Sequence, residues 1–305
     1  MSFVRLQERI DTLRNPTVVG LDPDLAHIPA HILDKHIAER GETLEAASFA
    51  VLEFNVGLID ALCDIVPAVK PQSAFYEMLG PHGVVALSMT CVYAKSKGMY
   101  VILDGKRNDI GSTAAAYSAA YLGTVKVGGA EFTPFDADAL TVNAYLGSDG
   151  IKPFIESAVK YDKAVFALVR TSNPSAGELQ DKFIGEDRLY TVVGDLMEDI
   201  SRDTIDKYGY TCVGAVVGAT YPQEAEFLRK RLKNTFFLVP GYGAQGGSAA
   251  EAAHAFDENG RGAIVNSSRG IIAAWKKRGG DYATAARDEA LNMRDELRLG
   301  LEARV

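Results

Sequence analysis

Met99-Tyr-Val-Ile-Leu-Asp104-Gly-Lys106-Arg-Asn-Asp109 starts as an uninterrupted apolar run and ends, within a few residues, in a knot of opposite charges. A run apolar at successive positions, too short for a helix and rich in β-branched side chains, is the pattern of a strand buried on both faces. Working outward, seven further runs of this kind occur at residues 17–21, 68–70, 140–143, 164–169, 212–218, 236–240 and 263–266, each followed by a stretch with helical spacing. Strands alternating with helices predict an α/β chain with a parallel sheet covered on its outside. An open doubly wound sheet would alternate in the same way. Eight units without a G-x-G-x-x-G after the first run favour closure into a (β/α)8 TIM barrel, a single domain over residues 1–305.

The N-terminal MSFVRLQERIDTLRN carries Phe3, Leu6, Ile10 and Leu13 at helical spacing and predicts an amphipathic helix outside the barrel proper. Residues 24–41 and 125–139 read as elaborations of the loops that follow strands. No stretch approaches the length of a membrane span, and no apolar leader precedes the first helix, so a cytoplasmic protein is expected. The formal net charge is -8, with 32 basic and 40 acidic residues interspersed, which disfavours nucleic acid or a membrane surface as partner. Cys63, Cys91 and Cys212 are odd in number and lack C-x-x-C spacing, so they read as free core thiols. The five histidines fall away from the strand ends and read as surface or packing residues, and Trp275 as packing for the last helix.

In a barrel of this type the reactive groups sit at the carboxyl ends of the strands. Here those ends are charged: Asp22 after the first run, Lys70 after the second, Asp104 and Lys106 after the third, with Asp109 just before the next helix. A locally extended chain would point Asp104 and Lys106 the same way. Alternating ammonium and carboxylate groups can keep their charges when buried, whereas one such group alone would neutralise. By chance D-x-K-x-x-D occurs about 0.06 times in a chain of this length, which makes the motif suggestive, and its placement at a strand end favours a functional site over a structural salt-bridge cluster or a solvated loop.

The last two strands end in Pro240-Gly-Tyr-Gly-Ala-Gln245-Gly-Gly and Asn266-Ser-Ser-Arg269-Gly270. Glycines let backbone N–H groups approach an anion, a following helix start favours negative charge, and Arg269 can grip phosphate oxygens with Gln245 as a neutral donor. A phosphorylated small molecule is the ligand these loops suit. Tight turns alone would also use glycine, but two such loops with a placed arginine exceed that need.

Taken in order, VGLDPD, AVKPQSAFYE, VILDGKRNDIGST, VRTSNPSA, VVGATYPQE, VPGYGAQGG and VNSSRGI closely resemble the orotidine 5'-phosphate decarboxylase family, from Val18 to Ile271, and the length is similar to its longer bacterial subgroup. The resemblance implies cofactor-free decarboxylation of orotidine 5'-phosphate to uridine 5'-phosphate, with no metal. It implies Lys70, Asp104, Lys106 and Asp109 as a catalytic tetrad, with Lys106 protonating C6. Asp22 would bind the ribose, Ser172 the pyrimidine, and Gln245, Arg269 and Gly270 the phosphate. Asp109 and Thr113 would complete the site of a partner subunit, so a homodimer is implied. Asn108 departs from the smaller residue expected there and bears on the turn before Asp109.

Two other readings compete. Metal-dependent sugar-phosphate decarboxylases and aldolases of the same barrel superfamily resemble this chain at D-x-K-x-x-D, but carry Glu where the second run here ends in Lys70. A divalent cation prefers clustered oxygens to an ammonium. A non-catalytic nucleotide sensor would have no reason to keep four buried charges.

Overall fold

The computed structural model describes residues 2–243 and 246–304. Eight strands run parallel: β1 Thr17–Leu21, β2 Ala68–Pro71, β3 Tyr100–Arg107, β4 Ala139–Val142, β5 Ala164–Arg170, β6 Val213–Val217, β7 Phe237–Val239 and β8 Ala263–Ser267. They close in the order β1-β8-β7-β6-β5-β4-β3-β2. Each expected run became one of these strands, with ends moved by at most a few residues. Closure is set by pairs such as Val18↔Ala68 and Thr17↔Val265, which leave β1 with a neighbour on both sides.

The two-residue period of a strand sorts the side chains into two cores. Val18, Ala68, Ile102, Phe166, Leu238 and Ile264 fill the barrel interior, while Val19, Val69, Val101, Leu103, Val165 and Val239 pack outward under the helices. The same strand therefore needs apolar residues at every position, which is why the runs are unbroken.

The N-terminal helix Ser2–Leu13 plugs the amino end of the barrel. Phe3, Leu6 and Ile10 join the interior core, and the Phe3 ring lies 4.9 Å from that of Phe236 and 5.0 Å from that of Phe166. Ser2 Oγ shares a hydrogen bond with Tyr100 OH at 2.6 Å and donates to Asp138 O at 3.0 Å. With the amino end sealed, the carboxyl end is where a cavity can open.

Residues 24–41 form a short 3-10 turn, Leu25–His27, capped by the Asp24 side chain, and a helix, Ala30–Arg40. Trp275 Nε1 donates to His27 O at 3.0 Å, so it ties this elaboration down besides packing near the last helix. His36 is buried there against Glu53, at 2.8 Å. Residues 125–139 form an exposed antiparallel hairpin, Val125–Val127 with Ala130–Phe132, before entering β4. Cys91 and Cys212 are buried free thiols as expected, whereas Cys63 is half-exposed at the end of helix Leu44–Leu62 and is not a core thiol. Among the described residues no helix is long and apolar enough to cross a membrane.

Candidate active site

β2, β3 and β4 bring together the charged centre. Asp104 is 7 % exposed and accepts four hydrogen bonds. Lys70 Nζ and Gln72 Nε2 reach its Oδ2 at 2.8 Å each, and Lys106 Nζ and Thr141 Oγ1 reach its Oδ1 at 2.7 Å each. Both oxygens are thus filled by donors, two of them ammonium groups. Burial works against both charges. For Asp104, Lys70 and Lys106 outweigh it and hold the carboxyl well below the usual range; for Lys70, Asp104 and Asp22 outweigh it and hold the ammonium above its own.

Asp104 and Lys106 meet, but not through the extended chain expected from their spacing. The register slips between Leu103↔Leu140 and Arg107↔Val142, and Lys106 takes the left-handed conformation at φ 48°. A non-glycine residue there is strained and persists where its surroundings hold it. Thr141 supplies the hold, because its Oγ1 accepts from Lys106 N at 3.0 Å while donating to Asp104. The bulge presents Lys106 to the open end, its side chain about half-exposed and anchored at one oxygen.

These groups line a cavity of about 610 Å³ at the barrel mouth, with Asp22, Ser172, Asn266, Ser268 and Arg269 around its rim. Asp22 Oδ1 is buried without a hydrogen-bond partner among the described residues, as is Asn266 Oδ1, so the wall has acceptors to offer an incoming donor such as a hydroxyl. Gly20 allows Ser268 to turn in: a Cβ at Gly20 would lie 1.8 Å from Ser268 Oγ. Arg269 begins the short helix Arg269–Ile272 and is exposed at the rim, with Gly270 half-buried behind it. The loop after β7 closes on itself through Gly247 N to Gly241 O at 3.0 Å and Gly243 N to Gly247 O at 2.8 Å. Tyr242 on that loop lines the cavity and bonds Glu296 of the last helix. Gln245 lies outside the described residues.

Asp109 and Thr113 are not on the cavity wall. Asp109 is half-buried with Oδ1 accepting from Ile110 N at 2.8 Å, and Thr113 is exposed on helix Gly111–Tyr121. Asn108 packs its side-chain oxygen where a Cβ on Gly150 would come to 2.5 Å, so the larger residue is accommodated by a glycine on the next loop. Gln72, Thr141, Asn266, Ser268 and Tyr242 were not singled out from the sequence. All are uncharged, and the one signal was a polar residue interrupting or ending an apolar run, as Thr141 does at 1 % exposure.

The family model described as "Orotidine 5'-phosphate decarboxylase / HUMPS family" matches residues 19–279. An orotidine 5'-phosphate decarboxylase of Rhodopirellula baltica is 45% identical over 92% of this chain and 90% of its own. One from Caldicellulosiruptor bescii is 42% identical over 89% of each. Among solved structures, that of Leishmania donovani OMP decarboxylase is 32% identical with a TM-score of 0.71, covering 96% of this chain and 98% of that one. With the match spanning the barrel from β1 to beyond Arg269, the chain belongs to the orotidine 5'-phosphate decarboxylase / HUMPS family.

Proposed function

We propose that this chain decarboxylates orotidine 5'-phosphate to uridine 5'-phosphate in pyrimidine biosynthesis, without a cofactor. The observation that carries this reading is the Lys70–Asp104–Lys106 chain at the mouth of the cavity. Loss of CO2 from C6 leaves a carbanion that the ring delocalises poorly. Electrostatics fixed beforehand must stabilise it, and an ammonium does so best where its position is held in advance. Lys106, braced by Asp104 and by the Thr141-pinned bulge, is such a group, and it carries the proton that C6 needs. Asp104 faces the departing carboxylate, and its repulsion falls as CO2 leaves.

Asp22, with its open acceptor, suits the ribose hydroxyls, Ser172 the pyrimidine, and Arg269, Gly270 and Gln245 the phosphate. Phosphate binding far from C6 supplies energy used in reaching the transition state. Asp109 and Thr113, turned from their own chain's cavity, suit a site completed by a second copy. The exposed Ile110, Tyr145 and Leu146 beside them offer apolar surface for that contact. We infer a cytoplasmic homodimer, for which three free thiols are suited to a reducing compartment.

Against sugar-phosphate chemistry that depends on a divalent cation stands the occupancy of Asp104. A cation there would have to displace Lys70 or Lys106, each already an ion-pair partner. The test is loss of orotidine 5'-phosphate absorbance with purified protein in chelator, alongside Lys106→Ala. Turnover that survives chelator and falls at least about 10³-fold in the variant is expected. Turnover only with added divalent metal would move the assignment to the sugar-phosphate enzymes.

A further inference from the structure

After β5 the chain passes Thr171-Ser172-Asn173 along the cavity wall, then leaves the barrel through residues 174–188 before helix Leu189–Ser201. That excursion holds a 3-10 turn, Pro174–Glu178, and a two-strand hairpin, Phe183–Ile184 with Asp187–Arg188. One of its side chains, Gln180, returns to the cavity wall. Gln180 Oε1 accepts from Thr171 N at 3.0 Å and Nε2 donates to Thr171 Oγ1 at 2.7 Å, so one carboxamide grips both the backbone and the side chain of the first loop residue. Thr171 Oγ1 in turn donates to Asn173 Oδ1 at 2.6 Å. Both neighbours of Ser172 are thereby tied to Gln180.

The far side of the loop is held as well. Gly218 N donates to Arg170 O at 2.8 Å, and a Cβ on Gly218 would lie 2.9 Å from Ser172 Cβ, so the glycine permits a close approach that fixes how deep Ser172 sits. Arg170 is 2 % exposed, with its guanidinium 4.0 Å from the Tyr221 ring centre, and its Nη1 also donates to Gln180 Oε1 at 3.4 Å. A glutamine that merely closed an exposed turn would face solvent. This one is spent on a loop whose middle residue borders the ligand space.

We propose that Gln180 is a positioning residue for the reaction: acting through Thr171, it sets the Ser172 hydroxyl where the pyrimidine ring binds. The proposal rests on reading Ser172 as the pyrimidine contact. A contact group displaced by about 1 Å can cost on the order of 10²-fold in rate, so a loop that must place one hydroxyl gains from being tied on both sides.

The experiment is steady-state kinetics on the full chain with Gln180→Met, which keeps length and bulk but removes both hydrogen bonds to Thr171 and the longer one from Arg170. The expected loss in kcat/KM is about tenfold or more. Thr171→Val produces a comparable loss, and Thr171→Ser, which keeps the hydroxyl, restores most of it. These two variants test the same link should Gln180→Met fail to fold. Ser172→Ala lowers kcat/KM on its own, and adding Gln180→Met to it costs less than about threefold more, because the two act through one contact. Full multiplication of the two losses, a Thr171→Ser rate as low as that of Thr171→Val, or wild-type rates for Gln180→Met would each overturn the positioning role. A wild-type rate for Ser172→Ala would instead overturn the reading of Ser172, and the proposal with it.

Discussion

Asp104 shows how one buried carboxylate can be made to stay charged. Four donors fill its two oxygens, and removing it strands Lys70, which is 4 % exposed, with Asp22 as its remaining carboxylate neighbour. Asp104→Asn should therefore destabilise the fold by about 3–5 kcal/mol at pH 7, the range for breaking a buried ion pair from one side. The pH dependence follows from direction alone. The Asp104 carboxyl is held below its ordinary range in the folded chain, so its contribution is present above the unfolded pKa near ~3.9 and is lost as pH falls toward the lower folded value. Urea midpoints of wild type and variant should thus be far apart at pH 7 and draw together at pH 3. A gap that stays constant over that range would mean the charge on Asp104 adds nothing to stability.

At the scale of elements, the strands were legible because a barrel strand buries both faces and so writes itself as an unbroken apolar run. The charged ends Lys70, Asp104 and Lys106 were legible because charge at such an end is costly without a use. The bulge at Lys106 was not, since φ above zero at a lysine has no signature in composition and depends on Thr141 from the next strand. The elaboration at 174–188 was likewise missed: its strands are two residues each and mostly exposed, too short for periodicity to register. The N-terminal helix was legible as amphipathic, but what its apolar stripe would cover was not. It seals the barrel floor, and Phe3, 2 % exposed between Phe166 and Phe236, is the seal. Phe3→Ala should cost about 3–5 kcal/mol by denaturant unfolding, from lost burial plus the cavity left behind. It should leave KM near the wild-type value, because the floor lies at the opposite end from the cavity. A loss under about 1 kcal/mol would show that the helix lies on the barrel without plugging it.

On the scale of the whole molecule, the chain is acidic overall, yet Lys70, Lys106 and Arg269 converge on one cavity, so the attraction for an anionic ligand is local. The wall of the same cavity does not include Asp109, in the loop after β3, or Thr113, on the helix that follows it. If two copies exchange these residues, each site contains Lys106 from one subunit and Asp109 from the other. Lys106→Ala and Asp109→Ala homodimers would then both be inactive. Unfolding the two variants together and refolding them allows random pairing, in which half of the dimers are mixed. In a mixed dimer one site carries both substitutions and the other carries neither, since the intact Lys106 and the intact Asp109 face each other across the contact. The mixture should recover about a quarter of the wild-type activity per subunit, a fraction set by the two-fold symmetry of the assembly. If Asp109 served the cavity of its own chain, no pairing would create an intact site, and the refolded mixture would stay as inactive as its parents.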